Sequence, residues 1–313
     1  MAKGLVIKST GSSYIVRMDD GLNVECHVKG NFRIRGIRST NPVAVGDFVE
    51  IQEDTKNQTG PEPLRWITEI EERRNYIIRR STNLSKESHI LAANIDQVAL
   101  LVTVNHPVTS TTFIDRFLAT CEAYRVQAIL IFNKIDILTA EELEQVNELR
   151  ALYESLGYPT LALCAKALDK DQLIPLLAEK TTLLSGNSGV GKSTLLNALF
   201  GKELTRTGKI SDAHDKGMHT TTFSEMYFLP DGGAVIDTPG IKGFGSVDMN
   251  KEEVGHYFRE FFATAKDCRF GNCTHTNEPG CAVQEALVRG EIAISRYESY
   301  LSLLGDCDES KYR

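Results

Sequence analysis

Apolar positions change their spacing twice along this chain, and each change marks a different kind of element. Up to about residue 70 they fall in short, partly alternating runs: Leu5-Val6-Ile7, Tyr14-Ile15-Val16-Arg17, Val24-Glu25-Cys26-His27-Val28, Phe32-Arg33-Ile34-Arg35 and Phe48-Val49-Glu50-Ile51. Alternation at period two belongs to strands with one face in a core. Turn signals at Ser9-Thr10-Gly11, Asp19-Asp20-Gly21, Gly30-Asn31 and Val45-Gly46-Asp47 separate them, and polar Gln52–Pro63 reads as a loop. This pattern predicts a small closed β-barrel of the OB type.

From about residue 96 strands and helices alternate. Gln97–Val104, Gln127–Phe132, Thr160–Ala165, Thr181–Ser185 and Gly233–Ile236 are buried-strand candidates, with helices expected over Phe113–Tyr124 and Ala140–Leu156. Such alternation implies a parallel sheet covered on both faces, an α/β domain. Past Gly245 the chain becomes helical and cysteine-bearing, ending in an amphipathic helix from Val283 to about Leu304. The expected organisation is an OB-type barrel over 1–75, an α/β domain over 76–246 and a helical domain over 247–313.

Composition narrows the class. With 313 residues, 42% hydrophobic and 25% charged, the chain reads as a soluble globular protein that buries a sizeable core. No apolar run reaches membrane-span length and the start does not read as a signal peptide, so no membrane association is expected. Seven cysteines, unevenly spread, favour a reducing, cytoplasmic compartment over a disulfide framework. The net charge of −7 argues against nucleic-acid binding over the whole surface. Residues 1–85, however, carry 13 Lys+Arg against 11 Asp+Glu, which directs any such contact to the N-terminal part.

The chemistry lies in three motifs set in rotated order. Gly186-Asn187-Ser188-Gly189-Val190-Gly191-Lys192-Ser193, followed by Thr194, matches the GxxxxGK[ST] phosphate loop and sits between a strand and a helix, as the motif requires. Its glycines let backbone amides approach phosphates, Lys192 would reach the β- and γ-phosphates, and Ser193 would hold Mg²⁺. About fifty residues earlier, Asn133-Lys134-Ile135-Asp136 ends a strand at the ligand-binding edge of the sheet. There the Asp136 carboxylate would accept from guanine N1–H and its exocyclic amine. Cys164-Ala165-Lys166 would buttress the base. Asp237-Thr238-Pro239-Gly240 ends a later strand, where Asp237 would act on Mg²⁺ and the Gly240 amide would meet the γ-phosphate.

Ile241 occupies the place where Ras-like GTPases carry or approach a water-orienting Gln, so basal hydrolysis should be slow. His219, in Lys216-Gly217-Met218-His219-Thr220-Thr221-Thr222, is a candidate for that task. A threonine of this run would complete the magnesium shell. Cys268, Cys273, His275 and Cys281 supply three thiolates and an imidazole within fourteen residues, a set suited to one closed, structural Zn²⁺ site. Lys29, Arg33, Arg35 and Arg38, in a run with one aromatic and no acid, are candidates for RNA backbone contact, with Arg73-Arg74 and Arg79-Arg80 as a second basic cluster.

Taken together, these residues resemble the circularly permuted GTPases of small-ribosomal-subunit biogenesis, the RsgA family. The likeness covers nearly the whole chain. It rests on the barrel, on Ala93-Asn94-Ile95-Asp96-Gln97-Val98, on the rotated motif order, on the His219-Thr220-Thr221-Thr222 run and on the Cys-Cys-His-Cys cluster with its terminal helix. The resemblance implies a GTP hydrolase that binds the small subunit and its ribosomal RNA and couples GTP hydrolysis to a late maturation step; the chain itself is expected to work as a monomer. It also implies Thr221 as the magnesium-contacting threonine. A zinc-bearing RNA scaffold that only senses GTP, and a P-loop kinase or ATPase, are the rival readings. Because Asp237 runs almost directly into the cysteine-bearing segment, the nucleotide state is expected to move that segment more than the barrel.

Overall fold

The computed structural model describes residues 2–10, 13–28, 42–54, 63–80, 88–201, 204, 224–230, 232–238 and 249–309. Five strands form the N-terminal barrel: β1 (Ala2–Ser9), β2 (Tyr14–Met18), β3 (Asn23–Val28), β4 (Phe48–Asp54) and β5 (Leu64–Ile70). Their order is β1-β2-β3-β5-β4, and β4 pairs back onto β1 to close the ring. Val6, Tyr14, Val16, Cys26, Val49, Ile51 and Ile67 fill it, the inward set of the alternating runs. Strand β5, around Trp66, is the one the hydrophobic pattern did not announce; the expected strand at Phe32–Arg35 lies outside the described residues.

A two-stranded ribbon, β6 (Tyr76–Arg80) and β7 (Ser88–Ala93), leads out of the barrel. The joint is tight. Gly46, at φ +96°, packs so closely that a Cβ there would fall 2.0 Å from the Ala93 carbonyl oxygen. Arg73 donates to both Asp47 carboxylate oxygens at 2.6 Å, with the carboxylate fully buried. Arg74 pairs with Asp96 at 2.7 Å. Arg73 of the second basic cluster is therefore taken up in the joint, whereas the Arg74 side chain stays largely exposed beside Asp96.

The α/β domain holds β8 (Gln97–Val102), α1 (Thr111–Ala123), β9 (Gln127–Asn133), α2 (Ala140–Ser155), β10 (Thr160–Leu163), α3 (Lys170–Leu177), β11 (Thr181–Gly186), α4 (Lys192–Phe200), β12 (Glu225–Phe228) and β13 (Ala234–Asp237). Local chemistry starts the helices: the Ser110 hydroxyl accepts from the Phe113 amide, and Thr139 with Glu142 closes a capping box on α2. The sheet order is β10-β9-β8-β11-β13-β12, parallel except for β12. Separate apolar clusters cover its two faces, one including Ile114, Phe117 and Leu118 of α1 and the other Leu173, Leu177, Leu195 and Leu199 of α3 and α4. Because β12 also bridges to β1, barrel and α/β domain share one continuous sheet.

The C-terminal part comprises α5 (Arg259–Ala265), α6 (Ala282–Val288) and α7 (Ile294–Glu309). The single terminal helix read from the sequence is two helices, split where Gly290 takes φ +75°. Its core of Phe258, Phe261, Val283, Tyr300 and Leu303 includes Ala119 of α1. Three arginines fasten it. Arg296, 1% exposed, donates to Asp115 of α1 at 2.8 Å and to both Glu260 oxygens. Arg259 pairs with Glu122 at 2.7 Å and lies over the Tyr158 ring, and Arg116 pairs with Asp306. Among the described residues no helix is long and apolar enough to cross a membrane.

Candidate functional site

The phosphate loop leaves β11 between its parallel neighbours β8 and β13, so it opens at the carboxyl edge of the sheet. Gly191, at φ +103°, is forced to be glycine: a Cβ would sit 2.4 Å from the Asn133 side-chain nitrogen. Helix α4 begins at the next residue and aims its free amides at the loop. The Lys192 ammonium donates to the Gly186 and Asn187 carbonyls at 2.6 and 3.0 Å. Burial lowers its pKa to about 8, against the pull of the nearby Asp237 carboxylate. A desolvated ammonium at the mouth of an amide-lined loop is built for an anion.

Asn133 is the keystone of the base-binding side. Its side chain, 3% exposed, donates to the Val190 carbonyl at 2.8 Å and accepts from the Ala165 amide at 2.9 Å. One amide thereby ties the phosphate loop, the Asn-Lys-Ile-Asp segment and the Cys-Ala-Lys turn together, segments 32 and 57 residues away in sequence. Lys134, in a left-handed conformation at φ 65°, donates from Nζ to the His106 carbonyl. Burial lowers its pKa, with Lys166 adding to the shift. Asp136 stands exposed in the short turn Ile135–Ile137, free of strand pairing and open to a base.

Asp237 closes β13, 1% exposed, in register with Leu184 of β11 and Glu225 of β12. The neighbouring Thr238 hydroxyl is buried without a hydrogen-bond partner among the described residues. Buried acid, hydroxyl and ammonium converge where a metal-bound triphosphate would need them, so the residues present fit Mg²⁺ with a nucleotide. His219, Thr220, Thr221, Thr222, Gly240 and Ile241 lie outside the described residues, as do Lys29, Arg33, Arg35 and Arg38.

The second constellation could hold a metal ion by geometry as well as by sequence. The ligand atoms of Cys268, Cys273, His275 and Cys281 all lie within 4.8 Å of one another. The His275 Nδ1 faces the sulfurs of Cys281 at 3.4 Å and Cys268 at 3.7 Å, which selects it as the ligating nitrogen. Burial, with the adjoining thiols, pushes Cys273 up to about 12. Glu278 braces the loop by accepting from the amides of Thr274, Thr276 and Asn277. Tyr297 donates to the His275 carbonyl at 2.8 Å. Sequence reasoning passed over Glu278; its place between the third and fourth ligands was the available signal.

Comparison with known proteins agrees along the whole length. Residues 70–247 match the family model described as RsgA GTPase, and residues 3–60 match that of the RsgA N-terminal domain. A Phocaeicola vulgatus protein named small ribosomal subunit biogenesis GTPase RsgA is 57% identical over 312 residues, covering 99% of each chain. A Porphyromonas gingivalis protein of the same name is 59% identical, covering 99% of this chain and 98% of its own. Among solved structures, YjeQ from Thermotoga maritima superposes with a TM-score of 0.74 at 33% identity over 98% of both chains. YloQ, titled a circularly permuted GTPase, gives 0.71 at 28% identity, covering 100% of this chain and 97% of its own.

Proposed function

The chain belongs to the RsgA GTPase family, and from that premise we propose that it hydrolyses GTP on the small ribosomal subunit and couples turnover to a late step of subunit maturation. The observation that carries the reading is the Asn133 side chain, which assembles the guanine segment and the phosphate loop into one site despite their rotated order. Asp136 reads the guanine. The amides of Gly186–Lys192 and the α4 N-terminus hold the phosphates, and Lys192 turns from its carbonyl partners to the β- and γ-phosphoryl oxygens. Ser193 and Asp237, with Thr221, would hold Mg²⁺. When bound, that ion neutralises charge developing between the β- and γ-phosphates.

Catalysis is then a matter of positioning and charge stabilisation. The Gly240 amide faces the γ-phosphate, and His219 orients the attacking water in place of the residue that Ile241 cannot supply. Cys268, Cys273, His275 and Cys281 hold one structural Zn²⁺. Lys29, Arg33, Arg35 and Arg38 meet ribosomal RNA, and the protein works in the cytoplasm as a monomer.

The test is GTP turnover with and without purified small subunits. Basal turnover should be slow and rise on adding subunits, by about 10³-fold or more where the particle supplies a transition-state group. Unchanged kcat with demonstrated subunit binding would sink the coupling. ATP displacing GTP equally well would overturn the role of Asp136. Normal subunit maturation by both Lys192→Ala and His219→Ala would favour a scaffold over a turnover enzyme.

A further inference from the structure

The barrel and the phosphate site meet along a single short strand. β12 has four residues and lies in sequence between the His219-Thr220-Thr221-Thr222 run and Asp237, with β13 on one side and β1 of the barrel on the other. A strand this short is marginal when paired on one edge only. The barrel contacts both of its ends. At the start, Lys8 is the ladder partner of Glu225, its ammonium lies 2.9 Å from the Glu225 carboxylate, and the Ser9 amide donates to the Ser224 carbonyl at 3.2 Å. At the far end, the Arg17 guanidinium lies over the Phe228 ring, 4.2 Å from its centroid. Between them, Leu5, Ile7, Ile15 and Val45 of the barrel pack in the same apolar cluster as Met226 and Ile236.

The register decides why this contact bears on chemistry. Lys8 pairs with Glu225, Glu225 with Asp237, and Asp237 with Leu184, two residues before Gly186 of the phosphate loop. Partners across a ladder project to the same face with their Cβ atoms about 5 Å apart. The barrel thus contributes the end of a row whose third member is the magnesium-side carboxylate. Lys8 also offsets the Glu225 charge that faces Asp237 across the ladder.

We propose that Lys8 and Arg17 are positioning residues for GTP hydrolysis: from the barrel they hold β12, and through it they hold Asp237 against the phosphate loop. The inference rests on the GTPase reading above. GDP binding depends chiefly on the phosphate loop and Asp136, which the seam does not touch. Transition-state stabilisation depends on Asp237 being in place.

The experiment uses the full-length protein carrying Lys8→Ala with Arg17→Ala, assayed for single-turnover GTP hydrolysis and for fluorescent-GDP affinity. The expected result is hydrolysis slower by about five-fold or more with GDP affinity within about two-fold, the split produced when an interaction acts only in the transition state. Lys8→Arg should keep the wild-type rate. Lys8→Glu should lose it, and Glu225→Lys in that background should recover it. A merely structural seam would lower thermal stability in every variant without separating hydrolysis from GDP affinity, and that outcome overturns the proposal. So does an unchanged rate in the double variant when hydrogen exchange shows the β1–β12 seam opened. If the double variant does not fold, Phe228→Leu, which removes the ring under Arg17, is judged by the same split. A wild-type protein that never turns over GTP, with or without subunits, would instead remove the reading beneath.

Discussion

Lys192 shows how a residue forced on the chain by function is recorded in its energetics. Its ammonium donates to two backbone carbonyls, and burial lowers its pKa from 10.5 to about 8. Because the folded value lies below the unfolded one, the desolvation cost is present in full below pH 8 and is relieved as pH rises from 8 towards 10.5. Stability of the free protein should rise across that window. Nucleotide affinity should move the other way. Phosphate oxygens hold the ammonium charged, so above pH 8 binding requires proton uptake and should weaken by up to about ten-fold per pH unit. Titration calorimetry in buffers of different ionisation enthalpy measures that uptake directly. Lys192→Met should bind weakly with a flat pH profile in this range, and a slope retained in that variant would assign the proton elsewhere.

Among the elements, the terminal helices correct a simple expectation. A small cysteine-bearing segment, judged alone, needs its metal to fold. Here α7 packs on α1, Arg296 is sealed between Asp115 and Glu260, and the apolar cluster takes in a residue of α1. Burial pushes the Asp115 carboxyl up, and Arg296 pulls it back, so the pair is a matched buried set whose separation is costly. Chelation should therefore unfold the ligand loop and leave α7 in place. Hydrogen exchange after treatment with a chelator should show protection lost over residues 266–281 and kept over 296–304. Joint loss of both would mean that the metal nucleates the whole segment.

For the molecule as a whole, the two flanking parts are attached in different ways. The C-terminal helices are clamped to α1 and the turn after α2 by Arg116, Arg259 and Arg296. The barrel instead leans on β12 and β13, the hairpin that ends at Asp237. These contacts favour the reverse of the order drawn from chain connectivity, in which the cysteine-bearing segment responds most to the nucleotide. Replacing GDP by a non-hydrolysable GTP analogue should change exchange protection in β1 and β2 more than in α7. Equal or greater change in α7 would restore the connectivity argument.

The sequence by itself determined the chemistry. The phosphate loop, the Asn-Lys-Ile-Asp segment, the Asp-Thr-Pro-Gly segment and the cysteine-histidine cluster are short contiguous words that point to one chemistry when taken together, and their rotated order could be read directly. It also announced three kinds of element by their hydrophobic spacing. Strand β5, the β6–β7 ribbon, helix α3, the four-residue β12 and the break before α7 escaped that reading, because short or interrupted runs carry too few apolar positions to define a period. Tertiary structure alone decided which surfaces are joined. Arg73 looks like an RNA contact until Asp47, 26 residues away, is seen to take it. Lys8 looks like an ordinary strand cation until the ladder sets it opposite Glu225, more than two hundred residues on. Pairing across such distances depends on register and packing, which the chain expresses only once it is folded.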